Sequence, residues 1–297
     1  MTGPILAILA AICFAGKAVL IRMAYAAAPV DATTLVALRM AFSLPFCLFL
    51  LWWQARARTQ STLTRRDWIT MIWLGFIGYY IASFLDFWGL EYISSALERI
   101  LLFTYPMLVV LLSAAFYGKR VHSREVFALL LTVTGTVISF ASDMRLTGST
   151  PALWKGTALV LGSALFYAIF LIGSGHNVGR IGSLRFSALS ISIASGFVLA
   201  QFFILRPAAS LFTLPAKIYW LGVALAWFST GLPIFLTVEA IRRVGASRVS
   251  IAGSIGPIVT IWLGHLFLNE PITLFQMTGA ALVLGGVGLI TVSATDV

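Results

Sequence analysis

Apolar runs separated by brief polar stretches dominate the chain, at about residues 4–25, 32–54, 68–90, 95–117, 125–142, 154–174, 184–205, 218–240, 248–268 and 272–293. Each run approaches the ~20 residues a helix needs to cross a hydrocarbon layer of ~30 Å. Lipid offers the backbone no hydrogen bonds, so such runs must satisfy themselves as helices. The pattern predicts an all-α integral membrane protein with ten transmembrane helices. The opening segment "MTGPILAILAAICFAGKAVLIRMAY" lacks a basic start and is interrupted by Lys17, so it reads as a retained helix rather than a cleaved signal.

Composition agrees. Of 297 residues, 60% are hydrophobic and only 10% charged, which excludes an ordinary soluble domain. The net charge of +10 would suggest nucleic acid in a soluble protein. Here it reads as cytoplasmic loop charge, with no nucleic-acid partner expected. With the N-terminus inside, the inner loops hold Arg56, Arg58, Arg65, Arg66, Lys119, Arg120, Arg124, Arg180, Arg185, Arg242, Arg243 and Arg248. The outer loops hold Arg145, Lys155, Arg206 and Lys217. Both termini are therefore expected in the cytoplasm, beneath a bacterial-type inner membrane. Cys13 and Cys47 lie inside apolar runs, which indicates neither a disulfide nor a zinc site. No cofactor or metal is expected.

The chain also repeats. Laying Pro106 on Pro257 brings Gly135 onto Gly286 without a gap, and Phe14 meets Phe166 at almost the same offset. The halves are residues 1–147 and 148–297, five helices each. An odd number of spans turns the second copy upside down, giving two inverted five-helix repeats. Lys119, in an inner turn, then aligns with Glu270, in an outer one.

The segment "VEAIRRVGASRVSIAGSIGPIVTIWLGHLFLNEPITLFQMTGAALVLGGVGLI" resembles the second repeat of EamA-type transporters of the drug/metabolite transporter superfamily. The first half is similar to the same repeat through "FAGKAVLIRMA", "ALRMAFSLP" and "ERILLFTYPMLVVLLSA". The resemblance implies a carrier working by alternating access, often an exporter of amino acids or similar small metabolites. It further implies a central cavity lined by helices 1, 3, 4, 6, 8 and 9. Export of drugs or organic cations, and a sensor or scaffold without a transport cycle, are the competing readings. Enzymatic chemistry has no candidate, since HExxH, GxSxG and P-loop patterns are all missing. The expected partners are a small-molecule substrate and the lipid bilayer. A monomer suffices, and a dimer is compatible with the sequence.

Ionisable residues within the spans cost at least ~2.5–3.5 kcal/mol each near the bilayer centre and so need a reason. At 1.5 Å per residue, Arg22, Asp86, Glu98 and Arg99 fall at a common depth of roughly 10 Å below the outer hairpin tips. They form an expected charge clamp, with Asp86 on Arg99 and Glu98 toward Arg22. Lys17 and Arg39 lie deeper, at roughly 16–17 Å. Lys17 is expected to lack an acidic partner and to attract a substrate carboxylate, while Arg39 reads as structural.

The remaining candidate binding residues are Tyr79 and Ser83 on one face of the third span, Tyr105, Tyr167, Trp227 and Thr230. Pro106 and Pro257 are candidate hinges. Trp52, Trp53, Trp68, Trp73, Trp88, Trp154 and Trp220 suit an interfacial belt. His265 reads as a satisfied buried imidazole, and Gly279, Gly285, Gly286 and Gly288 as a close-packing face.

Overall fold

The computed structural model describes residues 3–56, 62–118, 121–148, 150–244, 249 and 252–293, and among them every regular element is helical. Arg58, Lys119, Arg120 and Arg248 of the loop-charge reading lie outside the described residues, as does the side chain of Arg242. Helix α1 spans Gly3–Ala27 and α2 spans Ala32–Ala55. Helix α3 runs from Arg65 to Gly89 with a π-turn at Phe76–Ile81. Helix α4 has two segments, Ser95–Leu102 and Tyr105–Tyr117. Then come α5 (Ser123–Thr147), α6 (Pro151–Ile181) and α7 (Ser183–Leu205). Helix α8 runs from Ala216 to Val244 with a π-turn at Trp227–Gly231, followed by α9 (Gly256–Leu268) and α10 (Leu274–Ser293).

Among the described residues, eight helices are long and apolar enough to span a bilayer, and two shorter apolar ones, Gly256–Leu268 and Leu274–Leu289, complete the bundle. Several helices outrun the apolar spans read from sequence. Helix α5 continues to Thr147 and α6 to Ile181, because polar residues can extend a helix beyond hydrocarbon.

Local chemistry sets the boundaries. Asp31 accepts from the Thr34 N–H to start α2, and Thr64 and Asp67 form a reciprocal capping box at the start of α3. Helices α4 and α9 both end on a left-handed residue, Gly118 (φ 63°) and Asn269 (φ 55°). They also break alike, at Phe103–Thr104 and at Ser254–Ile255, and a proline follows in the first turn of the next segment. Pro106 and Pro257 thus sit where a missing N–H costs no helical bond, and the bend precedes each of them.

Helix α2 packs on α7, α5 on α10, α1 on α8 and α9, and α6 on α3 and α4. The start of α2 meets the end of α7 through Asp31 and Arg206, at 2.7 Å, so these two run antiparallel. So do α5 and α10. A Cβ on Gly135 would lie 2.5 Å from the Gly279 carbonyl, and one on Gly286 would lie 2.6 Å from that of Ala128. Only glycine permits such backbone approach. The start of α6 reaches the α3–α4 turn, where the Lys155 ammonium donates to the Tyr92 hydroxyl at 2.9 Å.

The largest buried cluster joins α1, α2, α3, α7 and α8 around Ile21, Leu35, Met40, Phe87, Phe202 and Ile218. Large apolar side chains cover the outside, among them Ile204 and Trp220, as expected where lipid is the solvent. Of the seven tryptophans read as a belt, six are exposed and Trp88 is half-buried beneath the Lys155 ammonium.

Candidate functional site

The buried charges of the first half do gather, but not in the expected pairs. Lys17 extends from α1 between α3 and α4. Its Nζ lies 2.6 Å from Asp86 Oδ2 and 3.2 Å from Glu98 Oε1. All three are nearly inaccessible, Glu98 completely so. Two carboxylates therefore share one ammonium in a dry site. This overturns the expectation that Lys17 lacks an acidic partner. It also replaces both clamp pairs, Asp86 with Arg99 and Glu98 with Arg22. Rise per residue fixes depth only for an upright helix and says nothing of rotation. The long lysine side chain bridges the remaining gap.

Arg22 instead turns to the other half of the chain. It donates to the Leu90 carbonyl at 3.4 Å, and its Nε lies 3.8 Å from Glu270 Oε1. Glu270 is an unforeseen site residue. Its carboxylate accepts from the Ser95 N–H at 3.1 Å and from the Ser95 hydroxyl at 2.6 Å, holding the start of α4. Asp143 does the same at Ser94, accepting from the N–H at 3.2 Å and the hydroxyl at 3.0 Å. Anions stabilise a helix N-terminus by satisfying its free N–H groups and its positive end. The consecutive serines opening α4 were the available signal for such acceptors. His265 is exposed rather than buried, and its Nδ1 lies 2.9 Å from the Glu270 carbonyl oxygen.

Among the described residues Arg39, from α2, meets no carboxylate and is held by neutral groups. Its Nε donates to Thr230 Oγ1 at 3.0 Å and its Nη1 to Ser83 Oγ at 3.2 Å, over the Phe87 ring. Ser83 and Thr230 thus hold an arginine that ties α2 to α3 and α8.

The tyrosines do converge. Tyr105 of α4 meets Tyr167 of α6 edge to face, with ring centres 5.1 Å apart. Tyr167 continues to Phe170 at 6.0 Å, and Phe170 to Tyr79 of α3 at 5.1 Å. All three tyrosines are half-buried within the bundle. Aromatic edges and hydroxyls on α3, α4 and α6 can grip a small apolar group while hydrogen-bonding a polar one. Trp227 does not join them. It is 52% exposed and packs on Phe46. It opens the α8 π-turn, whose extra residue rotates the face, so Ser229, Thr230 and Gly231 point inward instead.

Among the described residues no group of His, Cys, Asp and Glu could hold a metal ion.

The EamA-like transporter family matches this chain twice, over residues 1–141 and 154–292. An uncharacterized transporter of Bacillus subtilis, YcbK, is 31% identical over 93% of this chain and 88% of its own length. A second from the same organism, YetK, is 26% identical over 76% of this chain and 68% of its own. One solved crystal structure covers 99% of this chain and 98% of its own, with a TM-score of 0.68 at 17% identity, a likeness of fold. The chain therefore belongs to the EamA-like transporter family, multi-pass membrane carriers of small molecules rather than catalysts.

Proposed function

We propose that the protein exports amino acids, aromatic or otherwise apolar ones first, or similar small metabolites by alternating access between two inverted halves, residues 1–147 and 148–297. The observation that carries this reading is the exchange relation among helix contacts. Gly135 against Gly279, and Gly286 against Ala128, become each other when the halves are swapped along the aligned repeat. The same swap exchanges α1–α8 with α3–α6 and α1–α9 with α4–α6, and maps the α2–α7 and α5–α10 pairs onto themselves. Equivalent helices α2 and α7, and α5 and α10, run antiparallel, as an axis in the membrane plane requires.

On this reading α9 and α10 cross the bilayer with the other eight, in an inner membrane with both termini cytoplasmic. The matching breaks before Pro106 and Pro257 act as hinges. The Tyr79, Tyr105 and Tyr167 cluster faces the substrate from the central helices.

Two experiments test it. In proteoliposomes preloaded with single labelled amino acids, the chain should accelerate release of some of them. No release across the panel would remove the amino-acid reading. For the architecture, Gly118→Cys and Asn269→Cys, each in a background lacking Cys13 and Cys47, should react with a membrane-impermeant thiol reagent from opposite faces. Labelling from the same face would rule out inversion.

A further inference from the structure

Arg99 is the buried charge that none of these roles absorbs. It sits in the first segment of α4, 6% exposed, beside Glu98 in sequence but not in contact with its carboxylate. Among the described residues no hydrogen bond or ion pair engages its guanidinium, and its Nε is enclosed without any acceptor. The Phe103 ring lies 5.0 Å from the guanidinium. Enclosing a guanidinium N–H in a low-dielectric interior without an acceptor is costly. Arg39, equally buried, shows the ordinary solution, which is hydroxyl acceptors.

The position of Arg99 adds a second demand for negative charge. A Cβ on Gly256 would lie 2.8 Å from Arg99 Nη2, so the guanidinium rests against the first residue of α9. No side chain caps that helix start. The positive end of a thirteen-residue helix thus faces the same place as the buried cation. Lys17, Asp86 and Glu98 are engaged with one another, so Arg99 is left without a carboxylate of its own. An anion can dock without first breaking an ion pair. Tyr105, whose ring lies 6.3 Å from that of Phe103, connects this spot to the tyrosine cluster.

We infer that Arg99 and the uncapped start of α9 form the receptor for the substrate's carboxylate, with the Tyr105–Tyr167–Tyr79 cluster taking its apolar side chain. The substrate class is a small carboxylic acid bearing an apolar or aromatic group, amino acids included. This deepens the export reading and rests on it for the amino-acid part alone.

The test uses the detergent-purified full chain with L-phenylalanine, its amide and benzoate as probes, followed by equilibrium binding and thermal stabilisation. Wild type should bind phenylalanine over its amide by roughly 30-fold or more, the scale of a buried charge-assisted contact. Arg99→Gln should abolish that preference, and Arg99→Lys should restore part of it. Gly256→Ala keeps the arginine but pushes its guanidinium aside and should weaken acid binding alone. If Arg99→Gln does not fold, Gly256→Ala and the acid-to-amide ratio of wild type decide. Equal binding of acid and amide, no binding of any carboxylate, or an undisturbed preference in Arg99→Gln would overturn the inference. Benzoate protection that depends on Arg99, without phenylalanine binding, would keep the receptor and remove the amino-acid reading.

Discussion

Lys17 owes its place in the membrane to Asp86 and Glu98, and they owe theirs to it. Removing one member of a buried ionic group costs on the order of 3–5 kcal/mol because the remaining charge stays dry. Lys17→Met should therefore lower the melting temperature in detergent sharply. The triple change Lys17→Met, Asp86→Leu, Glu98→Leu should recover most of the loss. An unchanged melting point for Lys17→Met would mean that the three groups do not share a site. The ionisable residues themselves were legible in the sequence, since any charge in so apolar a chain stands out. Their partners were not. Glu98 and Arg99 are neighbours in the chain, yet one binds Lys17 and the other lies against Gly256, in the opposite half. Rotation about the helix axis decides that, and hydropathy carries no trace of it.

Helices were easier to read than contacts. Ten apolar runs and the matching prolines follow from local chemistry, while the caps at Asp31 and Thr64 emerge only with the structure. The π-turns in α3 and α8 do not, and the second is why Trp227 leaves the site it was expected to line. Helix packing yields two predictions. Gly279→Val would place a Cβ 2.0 Å from Ser139 Oγ and 2.6 Å from the Gly135 carbonyl, and backbone cannot retreat as a side chain can. Overpacking of this kind costs about 1–3 kcal/mol or more, read as a lower melting temperature. Gly285→Val, where an added Cβ meets nothing within 4 Å, is the matched control and should be neutral. The Asp31–Arg206 bridge lies outside the spans. Partial burial acts to raise the Asp31 carboxyl, but the Thr34 and Arg206 hydrogen bonds outweigh it and hold the group below the ordinary carboxylate range. A depressed folded-state value stabilises above the unfolded pKa of ~3.9 and is lost as pH falls through the folded one. Acidification should therefore narrow the stability gap between wild type and Asp31→Asn. A gap that stayed constant down to pH 2 would contradict the bridge.

At the scale of the molecule, the closest helix pairs cross between halves rather than staying within one. Helix α2 lies on α7, α5 on α10 and α1 on α8. Even the start of α4 is held by a carboxylate from each half, Asp143 and Glu270. Expression of residues 1–147 alone should give aggregated or degraded product, since most partners of its helices would be missing. The repeat behind this arrangement was visible as aligned Pro106 and Pro257. The interleaving was not, because nothing local to either half names the surface it will meet.

The connector between α5 and α6 is three residues long, and its described residues, Gly148 and Thr150, are exposed. Severing it should matter little. Two polypeptides made separately in the same cell, one ending and the other beginning near Thr150, should find each other in the bilayer and restore flux. Restored flux would show that the covalent join serves assembly rather than the transport cycle itself.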